Sequence, residues 1–224
     1  MPLFIVATPI GNLEDISHRA ERTLKEADWI AAEDTRHTGQ LLAHLGIKGK
    51  LLSFHEQNED KRTIELLEKL KNGQSIALVS DAGTPAVSDP GFYLVRTCHQ
   101  NKIPVFSIPG ASAVLAALAS SGLPTNRFLF EGFLPKKVGK RRARLEKLRP
   151  LDATLIFFES PYRILKFLQE LKELLGNRPA ALCRELTKKF EETKTGTLSE
   201  LAEIYSTRPP KGEITLVVGG ATSE

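Results

Sequence analysis

The chain has 224 residues, 41% hydrophobic and 26% charged, proportions of a folded globular protein and not of a disordered one. The net charge of +4 is modest, and no apolar run is long enough to cross a membrane: Leu3–Ile10 is interrupted by Thr8 and Pro9 and lacks the basic flank of a signal peptide. The two cysteines, Cys98 and Cys183, each sit in an apolar stretch and read as small buried hydrophobes of a reducing compartment, which leads us to expect a cytoplasmic protein without a disulfide or cysteine metal site.

In chain order, apolar runs at Leu3–Ala7, Trp29–Ala32, Lys50–Phe54, Ser75–Val79 and Pro104–Ile108 predict strands. Segments of helical period lie between them, such as Leu41, Leu42, Leu45 and Ile64, Leu67, Leu70. Strands alternating with helices predict βαβ units and a parallel sheet. Asp89 before Pro90 reads as a helix N-cap in preference to a ligand contact. The turn residues from Ser121 to Asn126 mark a break, giving an N-terminal α/β domain over 1–122 and a C-terminal α/β domain with a mixed sheet over 123–224.

Beyond the break, strands are predicted at Phe128–Gly132, Ala153–Phe158, Ala181–Arg184 and Ile214–Gly219, with Glu191–Thr197 a further candidate. Ser160-Pro161 opens a predicted helix to Leu175 that buries Ile164, Leu165, Leu168, Leu171 and Leu175, and Thr197 with Glu200 fits a capping box. Between these elements, the stretch from Lys136 to Arg149 carries eight basic residues against one acid, Glu146, while the remainder of the chain has 23 basic and 26 acidic residues. The whole positive excess therefore sits in one segment. It predicts a helix with Val138, Leu145 and Leu148 inward and its arginines outward, facing a polyanion or, by default, only solvent.

Four polar motifs directly follow predicted strands of the first half: Thr8-Pro9-Ile10-Gly11-Asn12, Glu33-Asp34-Thr35-Arg36, Ser80-Asp81-Ala82-Gly83-Thr84-Pro85 and Pro109-Gly110-Ala111-Ser112. A parallel sheet places the carboxyl ends of its strands on one edge, where ligands bind. Turn chemistry alone would explain one such loop; four favour a site. Neither a G-x-G-x-x-G run nor a Walker A sequence is present, so a nucleoside-like ligand without a phosphate cradle fits better than a dinucleotide. His37, His44 and His55 show no metal-ligand spacing, and no metal is expected.

The strings ATPIGNLEDIS, AAEDTRHT, LVSDAGTPAVSDPG, SIPGASAV, EGFLPKK, FESPYR, CRELTKKFEE and KGEITLVV span nearly the whole chain. In this order they resemble the signature blocks of the ribosomal RNA small subunit methyltransferase I family of the tetrapyrrole-methylase superfamily. The resemblance implies a two-domain class III methyltransferase fold with S-adenosylmethionine in the cleft between the domains, and a homodimer. It implies methyl transfer to the ribose 2′-hydroxyl of a cytidine in the decoding region of 16S rRNA, with the small ribosomal subunit as partner.

Carried onto this chain, the resemblance implies cofactor contacts at Pro9, Asp81, Ala82, Gly83, Pro85, Ser112, Ala113, Tyr162, Cys183, Gly212 and Glu213. A base for the hydroxyl proton is sought among Glu33, Asp34, Glu185 and Lys188. The opposing reading makes Asp34 or Thr35 a helix cap and pairs Arg36 with Glu33. RNA contacts are expected at Arg36, Lys136, Lys137, Lys140, Arg141, Arg142, Arg144 and Arg163, with Lys188-Lys189 extending that surface. Two alternatives stand: C-methylation of a precorrin, which needs no extended cationic face, and a non-catalytic ribosome-assembly factor, which leaves the carboxylate-and-glycine rim unexplained.

Overall fold

A computed structural model describes residues 1–221. The chain divides into two compact units between Ser112 and Ala113, ahead of the turn at Ser121–Asn126. The helix between these two points packs on a strand of the second unit, which draws it out of the first.

The first unit is a five-stranded sheet of β1 (Leu3–Val6), β2 (Trp29–Ala32), β3 (Leu51–Ser53), β4 (Ile76–Val79) and β5 (Val105–Ile108). All neighbours are parallel, in the order β3-β2-β4-β1-β5. Its helices are α1 (His18–Glu26), α2 (Thr35–His44), α3 (Glu59–Lys71) and α4 (Phe92–Gln100). The crossovers β1→β2 and β2→β3 step toward the β3 edge, and those from β3→β4 and β4→β5 step the other way. With one handedness throughout, the two directions must load opposite faces.

Burial shows this. Val6, Ile30, Ala32, Ala77 and Val79 pack with Ala20 and Leu24 of α1 and Leu42 of α2. Leu3, Ile5, Ala31, Leu52, Ile76 and Leu78 pack with Leu66 and Leu70 of α3 and Leu94 and Cys98 of α4. Covered on both faces, β1, β2 and β4 are continuous apolar runs with no polar alternation, as the sequence shows, while the edge strand β5 leaves Phe106 and Ser107 exposed. Two sequence expectations need correction. α3 buries Thr63, Leu66 and Leu70, while Ile64 is exposed, so its inward stripe is rotated from the one read from Ile64, Leu67 and Leu70. Asp89 does not cap α4; the helix begins at Phe92 behind Gly91, whose φ of 137° turns the chain after Pro90.

The second unit contains α5 (Ala113–Ser120), β6 (Phe128–Phe133), α6 (Val138–Leu148), β7 (Thr154–Glu159), α7 (Ile164–Leu175), β8 (Pro179–Arg184), β9 (Glu192–Thr197), α8 (Leu198–Thr207) and β10 (Ile214–Val218). The sheet runs β6-β7-β10-β8-β9, with β6 and β7 parallel and the other pairs antiparallel. The mixed sheet read from the sequence is therefore present, and Glu192–Thr197 is its edge strand. Leu145 of α6, Ile164, Leu168 and Leu171 of α7 and Leu201 of α8 cover one face, and α5 lies on β10.

Thr197 and Glu200 form the full capping box of α8. Ser160 opens a turn before α7, its carbonyl accepting from Arg163 N at 3.0 Å and Ile164 N at 3.1 Å. In α7 the buried stripe takes in Phe167 and Glu170, with Leu165 only partly covered. In α6 the buried residues are Arg141, Leu145 and Leu148, while Val138 is exposed, a correction to the face read from the sequence. Arg141 can enter because its long stem and charge are both provided for: Nε donates to Glu170 Oε2 at 2.6 Å, and Nη1 donates to the carbonyls of Pro135 at 3.3 Å and Lys136 at 3.1 Å.

Candidate active site

The loops leaving β1, β2, β4 and β5 are tied together at the carboxyl edge of the first sheet. Thr8 and Gly83 pair as an isolated bridge, Thr8 N donating to Gly83 O at 2.9 Å and Gly83 N to Thr8 O at 3.1 Å. The Thr8 hydroxyl donates to Ser80 O at 3.1 Å. Asp34 N donates to Asp81 Oδ1 at 3.1 Å, joining the β2 and β4 loops. A Cβ at Gly110 would stand 3.0 Å from Ala7 Cβ, tighter than side chains usually pack, so the two loops approach closely there. Gly83 has a φ of 79°, a region that side chains resist.

The segment from Ser80 to Gly91 is strained beyond its glycines. Ala86 and Ser88 both take positive φ, 67° and 62°. Such conformations persist where surrounding contacts over-determine them, and they gather at ligand sites.

Three carboxylates meet here. Burial, and then the Asp81 charge, push the Glu33 carboxyl up, with Glu56 adding to the effect and His55 opposing it. Burial and the Glu33 charge raise Asp89 to about 6, against the Ser80 hydroxyl that favours its ionised form. Groups shifted by burial and by like charge at a strand-end rim mark a site for chemistry. Asp34 differs in kind. It caps α2 by accepting from Arg36 N at 2.8 Å, and its salt bridge to Arg36 Nη2 at 2.7 Å holds it far below the usual carboxylate range. The expected pairing of Arg36 with Glu33 is thus replaced by pairing with Asp34, two residues away on the same turn.

Of the remaining positions in this unit at which cofactor contacts are expected, Pro9 follows the bridged Thr8, Ala82 is exposed, Pro85 is buried, and Ser112 closes the β5 loop. Ala113 opens α5 in the second unit.

The second unit has its own strained loop after β8, with Glu185 at φ 50° and the β-branched Thr187 at φ 65°. Glu185 Oε1 accepts from Glu213 N at 3.0 Å and Lys188 Nζ at 3.2 Å, and Lys188 Nζ also donates to Glu213 Oε2 at 2.9 Å. Glu213 N–H, and then Lys188, hold Glu185 below its usual value. Burial works against the charge on Lys188, but Glu213 and Glu185 keep it above its ordinary value. Both are poor proton acceptors. Gly212, at φ 85°, leaves room for Glu185 that no side chain would leave. Cys183 is fully buried in β8, and Tyr162 stands 97% exposed beside Arg163.

The basic run is less free than its composition implies. Arg142 pairs with Glu173 through two bonds of 2.9 and 2.5 Å, and Arg144 with Glu131 through bonds of 2.8 and 2.5 Å. Arg163 donates to Glu159 at 2.8 Å. Lys136, Lys137 and Lys140 are exposed and make no ion pair among the described residues. Sequence reasoning missed Asp89, because Asp-Pro resembles a cap, and missed Glu131, Glu170 and Glu173 as partners of the arginines, because they are distant in the chain; it also missed Glu159, which ends β7 only four residues before Arg163.

Comparison with known proteins gives these features a context. The family model "Tetrapyrrole (Corrin/Porphyrin) Methylases" matches residues 2–202. The protein of Halalkalibacterium halodurans named Ribosomal RNA small subunit methyltransferase I is 52% identical over 218 residues, covering 97% of this chain and 75% of that one. The Thermotoga maritima protein of the same name is 49% identical over 97% of this chain and 98% of its own. Among solved structures, uroporphyrin-III C-methyltransferase from Thermus thermophilus, complexed with S-adenyl homocysteine, superposes with a TM-score of 0.68 at 21% identity, covering 98% of this chain and 97% of that one. Diphthine synthase superposes with a TM-score of 0.70 at 18% identity, covering 100% and 92%; both likenesses speak for the fold. The chain belongs to the tetrapyrrole (corrin/porphyrin) methylase family, in the branch of the ribosomal RNA small subunit methyltransferase I proteins.

Proposed function

We propose that the protein is an S-adenosylmethionine-dependent methyltransferase of small-subunit ribosomal RNA, and that its acceptor is the ribose 2′-hydroxyl of a cytidine in the decoding region of 16S rRNA. It would act in the cytoplasm as a homodimer. The observation that carries the reading is the strand-end rim itself: Glu33, Asp81 and Asp89 gathered around glycines, in a chain about half identical to proteins bearing that name. The rim suits this cofactor. A sulfonium and an ammonium are cations, a ribose offers two hydroxyl donors, and carboxylates accept from all of them; no phosphate needs seating.

When bound, S-adenosylmethionine supplies an electrophilic methyl group. Asp81 and the backbone around Gly83 hold it, and Asp89 adds charge complementary to the sulfonium. Glu33, half-buried with a raised pKa, takes the proton from the acceptor oxygen, a task suited to a carboxylate closer to neutrality than its solvated value. Asp34, committed to Arg36 and to the α2 cap, holds its loop in place. Glu185 and Lys188 tie the strained loop after β8 to the turn at Gly212 and Glu213. Lys136, Lys137 and Lys140 contact RNA phosphates; Arg141, sealed against Glu170, does not.

The test is whether the purified chain binds S-adenosylmethionine and transfers its methyl group to RNA of small subunits lacking the modification. Thermal stabilisation by the cofactor together with RNA labelling is expected. No stabilisation at millimolar cofactor would overturn the reading.

A further inference from the structure

In the second unit, three exposed aromatic rings stand at one end of the sheet. The register pairs Phe133 of β6 with Phe158 of β7, Phe158 with Thr215 of β10, and Thr215 with Cys183 of β8, so β6, β7 and β8 end on one edge. Phe133, 68% exposed, closes β6; the loop after β7 carries Tyr162; the loop joining β8 to β9 carries Phe190, 65% exposed. Each ring has basic residues beside it: Lys136 and Lys137 after Phe133, Arg163 after Tyr162, Lys188 and Lys189 before Phe190. A lone exposed aromatic needs no explanation. Three at consecutive strand ends, each flanked by cations, do.

Tyr162 has an expected part in cofactor binding; Phe133 and Phe190 have none, yet both are held in place. Phe133 leans on Phe158 with ring centroids 5.5 Å apart, and Phe158 leans in turn on Phe130 at 4.9 Å. Phe190 sits in a loop fixed by Thr187 N donating to Glu191 Oε2 at 2.8 Å and Glu191 N donating to Lys188 O at 3.0 Å. Lys189 Nζ stands 5.8 Å from the Phe190 ring centroid. Lys136, Lys137, Lys166, Lys189 and Lys211 are exposed around this edge and make no ion pair among the described residues. The exposed carboxylates of these loops are already engaged, Glu213 by Lys188 Nζ and Glu191 by Thr187 N. The edge is therefore aromatic and cationic at once.

A second copy of the chain would set lysine against lysine across a two-fold contact. An apolar protein partner would find no continuous patch, because β6 and β8 lie three strand steps apart, roughly 14 Å, with charges between the rings. Single-stranded nucleic acid supplies what the edge lacks: bases with flat faces for the rings and phosphates for the lysines. We propose that Phe133 and Phe190 are base-stacking platforms for an unpaired stretch of the RNA substrate, with Lys136, Lys137 and Lys189 on its phosphates. Every base has a face to stack, so the grip selects unpaired RNA and not a sequence. The inference rests on the RNA-methyltransferase reading and adds how the substrate strand is held.

The experiment titrates the full chain with a labelled single-stranded uridine octamer and with a short RNA duplex, at several salt concentrations. Phe133→Ala and Phe190→Ala should each weaken octamer binding by at least about fivefold, the low end for one base stacked on an aromatic ring, and leave the salt slope unchanged. Phe133→Tyr and Phe190→Tyr, which keep the ring face, should bind nearly as wild type does. Lys189→Ala should reduce the slope of log affinity against log salt by about 0.7. Duplex binding should not respond to the alanine variants, because its bases are already stacked on one another. Unchanged octamer affinity in both alanine variants, equal loss in the tyrosine variants, or equal loss of duplex binding overturns the proposal. So does sedimentation showing that the alanine variants bind less only because a dimer has come apart, which would make the edge a contact between copies. If small subunits are methylated although the alanine variants bind RNA normally, the platforms fall and the proposed function stands. If the wild type grips the octamer through these rings but methylates no RNA, the platforms stand and the proposed function falls.

Discussion

The backbone N–H of Asp34 donates to the Asp81 carboxylate at 3.1 Å, so the loops after β2 and β4 share one hydrogen bond across 47 residues of sequence. Asp81 thereby does two things: it fixes where the β2 loop begins, and it raises Glu33 through their like charges. Asp81→Ala should weaken S-adenosylmethionine binding by about 1.5–3 kcal/mol, the range for a lost bond to a charged group. Calorimetric titration checks this, and an unchanged affinity removes Asp81 from the site.

In the proposed reading Glu33 accepts the substrate proton. Glu33→Gln should lower kcat by about 10²- to 10⁴-fold, the usual contribution of a positioned base, with cofactor affinity little altered. In the wild type the rate should rise with pH through the raised Glu33 pKa and then level off, and the variant should lose that limb. A variant with full kcat would assign the proton to solvent.

Asp89 also makes a prediction about stability. Its folded pKa of about 6 lies above the unfolded value of 3.8, so the native state holds a proton that the unfolded chain has released. Ionisation of Asp89 therefore costs stability as pH rises from about 4 to 6, and the penalty persists above that. Asp89→Asn should stabilise the protein at pH 7.5 by about 1 kcal/mol after discounting for solvent screening, and give no gain at pH 4. Denaturant unfolding at the two pH values decides it.

The pair of Arg141 and Glu170 is buried at 7% side-chain exposure on each side. Arg141→Ala should destabilise the second unit by about 3–5 kcal/mol, because it strands a buried carboxylate. Replacing both residues together with apolar ones of similar size should recover most of that loss. A small effect of Arg141→Ala in chemical denaturation would mean that water enters and solvates Glu170.

Most of the fold was legible because both faces of the first sheet are covered. Its inner strands are unbroken apolar runs such as Ile76–Val79, which the eye and the physics pick out together. The mixed sheet was legible from β10 and β7 in the same way, and from the capping box at Thr197 that ends β9. Side-chain partners were not legible. Arg141 reads as one of eight surface cations until Glu170, 29 residues away, is seen to neutralise it. Asp89 reads as a cap because Asp-Pro commonly opens helices; only the φ of Gly91 shows the helix starting later. The site was half visible. The strand-end position of Glu33 and Asp81 follows from the order of motifs, whereas the raised pKa values depend on burial and on distances that no spacing encodes.

The most direct test is to incubate small ribosomal subunits from cells lacking this protein with the purified chain and methyl-labelled S-adenosylmethionine, and then to map the label on the RNA. The label should fall on one cytidine of the decoding region, and the phosphodiester after it should resist alkaline hydrolysis, because a methylated 2′-oxygen cannot attack it. Label on a base with the backbone still alkali-sensitive, or no label in RNA at all, would contradict the account.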